Sequence, residues 1–275
     1  MEQNVATTAA FKAAEAYEQF LVPSIFRYWT PLLLKRAAPQ LGERVLDVAC
    51  GTGVVARSIV PLVGNGGKVV GLDINPAMLE VACRQFSNNC DKIDWREGHA
   101  ENIPFERNEF ALVTCQQGLQ FFKNRAKAAE EMLRVLHPNG RVVIVVFQSL
   151  ENNPAYQIVF NAMASVFNIP VAALATPFSY GDPSELESLL VDAGFRQVKV
   201  ESVSQEVHFN EPNRFAELSI RASAAVIPAF AKLDGLMQLD SLSEVTRRIA
   251  PFLKDHSSDG ILSFPMCANF ATAVC

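Results

Sequence analysis

The sequence predicts an α/β fold with a doubly wound, seven-stranded, mostly parallel sheet (a Rossmann-like arrangement), N-terminal helices and a helical lid insertion. From Gly42 onward, short Val- and Ile-rich runs alternate with helical stretches, the order that is typical of a parallel sheet covered by helices on both faces. The segment Val142–Phe147 is continuously apolar, as expected of a central strand that is buried on both faces.

The elements of the first half follow from this periodicity. From Phe11 to Ala38 the apolar residues recur at helical spacing, and Pro23 and Pro31 predict a division into short helices. Strands are then predicted at Arg44–Val48, Lys68–Leu72, Ile93–Glu97, Phe110–Cys115 and Arg141–Phe147. Helices are predicted between most of these strands, at Val54–Val63, Pro76–Ser87 and Arg125–Leu136.

The second half leaves the strict alternation. Helices are predicted at Asn153–Phe167 and Pro183–Ala193, a strand at Gln197–Val207, a helical stretch at Pro212–Phe252 and a last strand at Ile261–Val274. We expect a single domain over residues 1–275, with a helical cap at 1–40, a cofactor-binding core at 41–147, and a substrate and lid part with the last strands at 148–275. Within it, Asn210–Lys254 is expected to form a partial lid.

The charge and the cysteine content argue against nucleic-acid binding and against a metal site. The net charge is -5 and the basic residues are scattered, whereas nucleic-acid binders usually carry a basic patch. The six cysteines form no C-x-x-C pair and no Cys/His cluster with zinc spacing, so no metal site is expected. Without a signal peptide or an apolar run of about 18 residues, a cytoplasmic location and no membrane span are expected. Oligomeric state is not encoded in any recognisable pattern.

The segment Val45–Gly53 carries the strongest motif. A buried strand leads into a Gly-containing turn and a helix, and such glycines let a ligand approach the backbone. A second acidic residue, Asp73, ends the next predicted strand, where a carboxylate can accept hydrogen bonds from both ribose hydroxyls.

The same glycines also fit a loose dinucleotide-binding pattern, since Gly51, Gly53 and Ala56 match G-x-G-x-x-G/A. Against this alternative, Asp47 would repel a pyrophosphate at the helix N-terminus. A sulfonium or ammonium group suits that carboxylate. The pattern therefore favours S-adenosylmethionine over NAD.

With these residues in view, the chain resembles the class I S-adenosylmethionine-dependent methyltransferases, in the small-molecule branch related to the quinone C-methyltransferases. The resemblance covers residues 10–147 well. It is carried by Val45–Gly53 and by four later blocks in the family's order: GLDINPAML, EGHAENIPF, CQQGLQFF and EMLRVLHPNG, which begin at Gly71, Glu97, Cys115 and Glu131.

The resemblance implies the residues that bind the cofactor. Asp47 and the turn Ala49–Gly53, with Gly51 and Gly53, would hold the methionine part and approach the ribose. Asp73 would bind the ribose hydroxyls, and Ile74 and Met78 would pack against the adenine.

By the same resemblance, the turn around His99, Ala100 and Glu101 would contact the adenine edge. Cys115 and Gln116 would lie under the sulfonium and the methionine. Tyr17 would close over the methionine end.

Two positions depart from the family pattern. The usual first glycine of the turn is Ala49, and the usual Asp at the adenine is His99, whose neutral imidazole can still accept a hydrogen bond. Structural roles also explain some of these residues. Asp47 and Asp73 could cap helices, and Met78, Tyr17 and Trp29 could simply be packed in the core.

The sequence thus predicts an S-adenosylmethionine-dependent methyltransferase with a small, apolar or aromatic methyl acceptor and S-adenosylhomocysteine as product. The apolar segment Ala222–Ala231 and the 19 phenylalanines favour such an acceptor. No catalytic base is identified, although Gln116, Gln117 and Gln120 could orient the acceptor. The alternatives are a non-catalytic S-adenosylmethionine-binding protein and, with less support, an NAD-dependent oxidoreductase.

Overall fold

The computed structural model describes residues 10–86, 92–223 and 235–275. Its strands are β1 (Arg44–Val48), β2 (Lys68–Asp73), β3 (Ile93–Glu97), β4 (Phe110–Gln116), β5 (Leu136–Phe147), β6 (Arg196–Phe209), β7 (Ser257–Ser258) and β8 (Ile261–Val274). The sheet has the order β3-β2-β1-β4-β5-β8-β6. Strands β1 to β5 pair in parallel, and β8 is antiparallel to both β5 and β6. The predicted doubly wound, mostly parallel sheet is confirmed.

Helices cover both faces of this sheet, as the strand–helix alternation requires. They are α1 (Tyr17–Phe26), α2 (Arg27–Ala37), α3 (Val54–Val63), α4 (Pro76–Gln85), α5 (Arg125–Val135), α6 (Pro154–Phe167), α7 (Pro183–Asp192), α8 (Phe215–Ser223) and α9 (Gly235–His256). One apolar cluster includes Trp29 and Leu33 of α2, and a second includes Met132 of α5 and Leu186 of α7.

The N-terminal segment differs from the prediction. Pro23 and Pro31 do not divide it, since helical structure runs without a break from residue 10 to residue 37. The helix instead widens into the π-helix α1 around Pro23 and returns to α-helix in α2, which contains Pro31. A local change of helix type accommodates the backbone groups that a proline leaves unpaired. Residue spacing alone does not reveal this adjustment.

Strands β6 and β8 extend beyond the rest of the sheet. The last residue of β5, Phe147, pairs with Ala268, whereas β6 and β8 stay paired out to Phe209 and Leu262. This two-stranded extension projects past the carboxyl edge of the parallel strands. Helices α6, α8 and α9 pack on it through buried aromatic side chains, among them Tyr156, Phe215, Phe252 and Phe264. The sequence predicted both strands but not that they form this extension.

The short strand β7 was not predicted. It forms a hairpin with the start of β8 across Asp259 and Gly260, which both adopt positive φ, 52° and 76°. This Asp-Gly pair is the turn chemistry that two-residue hairpins favour.

The proposed apolar lid segment Ala222–Ala231 lies almost wholly outside the described residues. Within the described ranges, no helix has the length and apolar character that crossing a bilayer requires.

Candidate active site

The candidate site lies at the carboxyl edge of the parallel strands. Strands β1, β2, β4 and β5 end there with Asp47 (one residue before the end of β1), Asp73, Gln116 and Phe147. In open α/β sheets, ligands bind outside the carboxyl ends of the strands where the strand order reverses, here between β1 and β4. The fold therefore brings the two acids of the sequence motif to one edge.

Asp47 is almost completely buried, with 1% of its surface exposed. Its Oδ1 accepts a hydrogen bond from the Thr114 hydroxyl (2.7 Å) and its Oδ2 from the Ala56 backbone N–H (3.2 Å) in the first turn of α3. Burial raises the pKa of Asp47 to about 7, although both hydrogen bonds oppose the shift. Asp47 therefore does bond a helix N-terminus, and in its ionised form it also supplies negative charge beneath the site.

Asp73 has a more accessible position. Its Oδ2 accepts the Gly51 N–H (2.8 Å) and its Oδ1 accepts the Asn75 N–H (2.9 Å). Each carboxylate oxygen can accept a second hydrogen bond, so one acceptor site remains on each for a ligand with two hydroxyls. Burial raises the pKa of Asp73, opposed by the backbone N–H groups around it. The bond to Gly51 also joins the end of β2 to the turn after β1.

The turn Ala49–Gly53 uses left-handed backbone at three residues. Ala49, Gly51 and Gly53 have φ of 55°, 54° and 84°. This conformation accounts for the glycine that the pattern the chain resembles has at the position of Ala49, because left-handed φ favours glycine. The turn also contains a buried hydroxyl, that of Thr52, without a hydrogen-bond partner among the described residues.

Helix α1 lies over this turn. A Cβ built on Gly51 would be 3.8 Å from the Tyr17 hydroxyl, so the tyrosine ring sits directly above the turn. Burial, followed by the charge of Asp73, raises the pKa of Tyr17 and keeps it a neutral hydroxyl. An ion pair between Glu18 of α1 and Arg57 of α3 (2.7 Å) holds the two helices together.

A row of nearly parallel aromatic rings continues from Tyr17 along the carboxyl edge. Tyr17 stacks on Phe26 (5.0 Å between ring centroids), Phe26 on Phe147 (6.5 Å), and Phe147 on Phe178 (5.5 Å). We call these four residues the aromatic stack. Sequence analysis singled out only Tyr17 of the four, because the others come from a helix, a strand end and a turn that are far apart in the chain.

The residues expected at the adenine take different positions. Ile74 is 58% exposed just after β2, where a ligand can reach it. Met78 packs instead with Phe11, Ala14 and other residues under the N-terminal helix. The adenine roles of both stay predictions.

The turn after β3 begins with Gly98, whose N–H donates to the Asp73 carbonyl (3.0 Å), so it lies beside β2. His99 of this turn is exposed, and Ala100 is half-buried. The Glu101 carboxylate accepts the Asn124 N–H (2.9 Å) before α5, so it already has a protein partner. The turn is close to the site, and its contact with adenine stays a prediction.

Two residues at the end of β4 differ in what they offer a ligand. Cys115 is fully buried and burial raises its pKa to about 12, so its thiol forms part of the floor and is not a nucleophile. The Gln116 amide donates to the Phe26 carbonyl and to the Thr30 hydroxyl (3.3 Å each), which attaches the N-terminal helices to β4. Trp29 is fully buried against Phe147 and Phe270 and is a core residue.

Sequence analysis missed Thr114, the partner of the Asp47 carboxylate. The two residues are opposite each other in the β1–β4 pairing, a register that the linear sequence does not disclose. The described residues contain no group of three or more His, Cys, Asp and Glu side chains that could hold a metal ion.

These residues fit S-adenosylmethionine. Two buried carboxylates suit a ligand that carries a sulfonium and an ammonium group, whereas they would repel the pyrophosphate of NAD. Free acceptor positions on Asp73 suit a ribose diol, and the unpartnered Thr52 hydroxyl offers a further polar contact. The faces of the aromatic stack can stabilise a cation.

Comparison with known proteins agrees with this chemistry. Residues 13–209 match the ubiE/COQ5 methyltransferase family. The chain is 35% identical over 184 residues to the 2-phytyl-1,4-beta-naphthoquinone methyltransferase of Arabidopsis thaliana, and the aligned region covers 62% of this chain and 70% of the relative. It is 31% identical over 186 residues to the demethylmenaquinone methyltransferase of Oceanobacillus iheyensis, and the aligned region covers 63% of this chain and 78% of the relative.

Solved structures support the fold. A Haemonchus contortus phosphoethanolamine N-methyltransferase in complex with S-adenosyl-L-methionine has a TM-score of 0.59 at 20% identity, covering 98% of this chain and 57% of that one. An S-adenosylmethionine-dependent methyltransferase from Aquifex aeolicus has a TM-score of 0.51 at 21% identity, covering 64% and 83%. The NAD-dependent and non-catalytic alternatives are not favoured. The chain belongs to the ubiE/COQ5 methyltransferase family and is an S-adenosylmethionine-dependent enzyme that methylates a small molecule.

Proposed function

We propose that this enzyme transfers the methyl group to a ring carbon of an apolar, hydroxylated aromatic molecule of the hydroquinone class. The observation that carries the proposal is the aromatic stack, which begins over the cofactor turn at Tyr17 and ends at Phe178. A planar ring acceptor can pack against the faces of such rings. The names of the two relatives described above, both quinone methyltransferases, support this acceptor class.

The methyl transfer itself requires little acid–base catalysis. When bound, S-adenosylmethionine would supply an electrophilic methyl group to the ring carbon; its sulfur would keep the electron pair of the broken bond, and the ring proton would be lost to water. The chain's main contribution is alignment, which can supply much of the acceleration. Ionised hydroxyls on the ring raise the electron density of the neighbouring carbons, so recognition of a hydroxyl aids both orientation and reactivity.

The proposed roles of the cofactor residues follow from their positions. Asp73 binds the ribose hydroxyls through its two remaining acceptor sites, and Ile74 packs on the adenine. Ionised Asp47 acts through its charge, since its carboxylate is almost completely buried beneath the site. Tyr17 covers the methionine end.

The acceptor class is tested by methyl transfer from labelled S-adenosylmethionine under anaerobic, reducing conditions. The acceptors are naphthohydroquinone, its dimethyl ether, bulk RNA and a protein mixture. We expect label on the hydroquinone alone, and loss of one aromatic proton signal in the product's NMR spectrum. Label in RNA or protein, or on a hydroxyl oxygen, would contradict the proposal.

Cofactor binding is expected to weaken in mild acid. A cationic ligand favours ionised Asp47, whose pKa in the free protein is about 7, so binding below that pH must release a proton. Affinity should therefore be highest above about pH 7 and fall towards tenfold per pH unit below it. Calorimetry from about pH 6 to about pH 8, in buffers of different ionisation enthalpy, measures both affinity and proton release.

The control is Asp47→Asn, which keeps the shape of the side chain and removes its charge. At high pH, this variant should bind S-adenosylmethionine more weakly than the wild type does. The pH dependence that remains in the variant should be only the part that titration of the ligand's own amine explains. An unchanged pH profile in this variant would assign the effect to another group.

We further propose a cytoplasmic location and the division into a cap at 1–40, a core at 41–147 and a substrate and lid part at 148–275. The location is tested by cell fractionation. The division is tested by limited proteolysis with and without S-adenosylhomocysteine, which should protect the cap because Tyr17 lies over the cofactor turn.

A further inference from the structure

Two glutamines just after β4 carry polar atoms that no described group satisfies. Gln117 and Gln120 are buried, with 8% and 2% of their surfaces exposed. Gln117 has a φ of 58°, a left-handed turn that follows the end of β4, and its side chain reaches the end of β5. Both residues lie beside the aromatic stack, since Gln117 bonds Phe147 and Gln120 bonds Pro177, the neighbour of Phe178.

Hydrogen bonds fix the orientation of both amides. The Phe147 N–H donates to the Gln117 Oε1 (3.0 Å), so this atom must be the oxygen. The Gln120 Nε2 donates to the same oxygen (2.9 Å) and to the Pro177 carbonyl (3.4 Å), so this atom must be the nitrogen. The remaining polar atoms of the two amides are the Gln117 Nε2 and the Gln120 Oε1. Neither has a hydrogen-bond partner among the described residues.

Such a pair is costly unless something binds it. A buried polar group without a partner costs about 1 to 3 kcal/mol, and here a donor and an acceptor lie on adjacent amides. A hydroxyl group both accepts and donates one hydrogen bond, so it complements this pair better than a carbonyl or an ammonium does. Both atoms are closed to solvent, so the occupant reaches them only when a neighbouring part of the chain moves.

We propose that Gln117 and Gln120 position the methyl acceptor by binding one of its ring hydroxyls: the Gln117 N–H donates a hydrogen bond to the hydroxyl oxygen, and the Gln120 carbonyl accepts a hydrogen bond from the hydroxyl. This inference rests on the proposed hydroxylated aromatic acceptor. It adds a specificity determinant: the hydroxyl selects the ring and sets its angle beside the aromatic stack. When the hydroxyl ionises, the Gln117 donor remains to stabilise the oxyanion.

The test variant is Gln120→Met, which keeps the length of the side chain and removes the acceptor. It leaves the Gln117 oxygen bonded to the Phe147 N–H, whereas a change at Gln117 would leave that N–H unpaired. With naphthohydroquinone, kcat/KM should fall about tenfold or more. The calorimetric Kd for S-adenosylhomocysteine should stay within about twofold. The melting temperature should change little, because removal of the unsatisfied Gln120 oxygen offsets the loss of the hydrogen bonds that its nitrogen donates to Gln117 and Pro177.

The matched control is Gln148→Met. Gln148 is a buried glutamine whose amide nitrogen donates to the Asn269 side-chain oxygen (2.9 Å) and which, unlike Gln120, carries no buried polar side-chain atom without a hydrogen-bond partner. Its variant should lose stability, with kcat/KM of the folded enzyme within about twofold of wild type.

Three results would overturn the inference. If wild type methylates naphthohydroquinone and Gln120→Met does so equally well, the positioning role is wrong and the proposed function stands. If Gln120→Met lowers the melting temperature as Gln148→Met does, with activity falling in proportion to the folded fraction, the pair is structural. If wild type methylates no hydroxylated ring, the proposed function fails and this inference fails with it.

Discussion

Replacing Asp73 by Ala is expected to raise the Kd for S-adenosylmethionine about 100-fold or more. The substitution removes the acceptor for two ligand hydroxyls, and hydrogen bonds to a charged group contribute about 1.5 to 3 kcal/mol each. It also releases the Gly51 and Asn75 N–H groups, which hold the turn after β1 and the start of α4. Calorimetric titration with S-adenosylmethionine and S-adenosylhomocysteine measures the effect.

Two further variants separate ligand binding from folding. Asp73→Asn keeps the volume and part of the acceptor capacity, so an intermediate loss is expected even if the alanine variant is unstable. Asp94→Ala removes an acid from the neighbouring strand β3, where the side chain is 46% exposed and pairs with Arg96, and should bind normally. Equal affinity in wild type and Asp73→Asn would show that the carboxylate does not bind the ribose. Preference for NAD(H) in the same titration would contradict the cofactor assignment.

Replacing Gly53 by Ala is expected to damage both the fold and the cofactor turn. Gly53 has a φ of 84°, which an alanine adopts at a cost of about 1 to 2 kcal/mol. A Cβ there would lie 2.3 Å from the Trp95 Cη2, a clash that adds about 1 to 3 kcal/mol of overpacking. We expect the free energy of unfolding to fall by about 2 to 5 kcal/mol and cofactor affinity to fall about tenfold or more, because the turn must shift.

Gly42→Ala provides a matched control. Gly42 has nearly the same φ, 83°, but a Cβ there would meet nothing within 4 Å. The free energy of unfolding of this variant should fall only by the cost of the left-handed backbone, about 1 to 2 kcal/mol, and the variant should bind the cofactor normally. Denaturant unfolding compares the two variants. Equal losses of unfolding free energy in the two variants would mean that the Trp95 side chain moves aside without cost. Partial recovery of stability in a Gly53→Ala, Trp95→Leu double variant would confirm the clash.

Much of the fold could be predicted because each parallel strand is short, apolar and followed by a helix. The bounds of β1, β3, α3 and β8 agree with the periodicity to the residue, and the other strands and helices differ mainly at their ends. The N-terminal helices are the clear error. Proline spacing predicted breaks there, whereas tertiary packing on β4, β5 and α3 stabilises a continuous helix with a π-helical segment.

The sequence by itself determined the family motifs, the two acids at adjacent strand ends and the glycine turn between them, because these depend on residues that are close in the chain. Only the tertiary structure decided which partners complete the site. Strand register and loop geometry bring together the segments that meet in three contacts: Asp47 with Thr114, the aromatic stack, and the hydrogen bonds of Gln117 and Gln120 to Phe147 and Pro177. Such contacts leave no periodic signal, since side-chain periodicity reports which face of an element is buried and not which neighbour covers it.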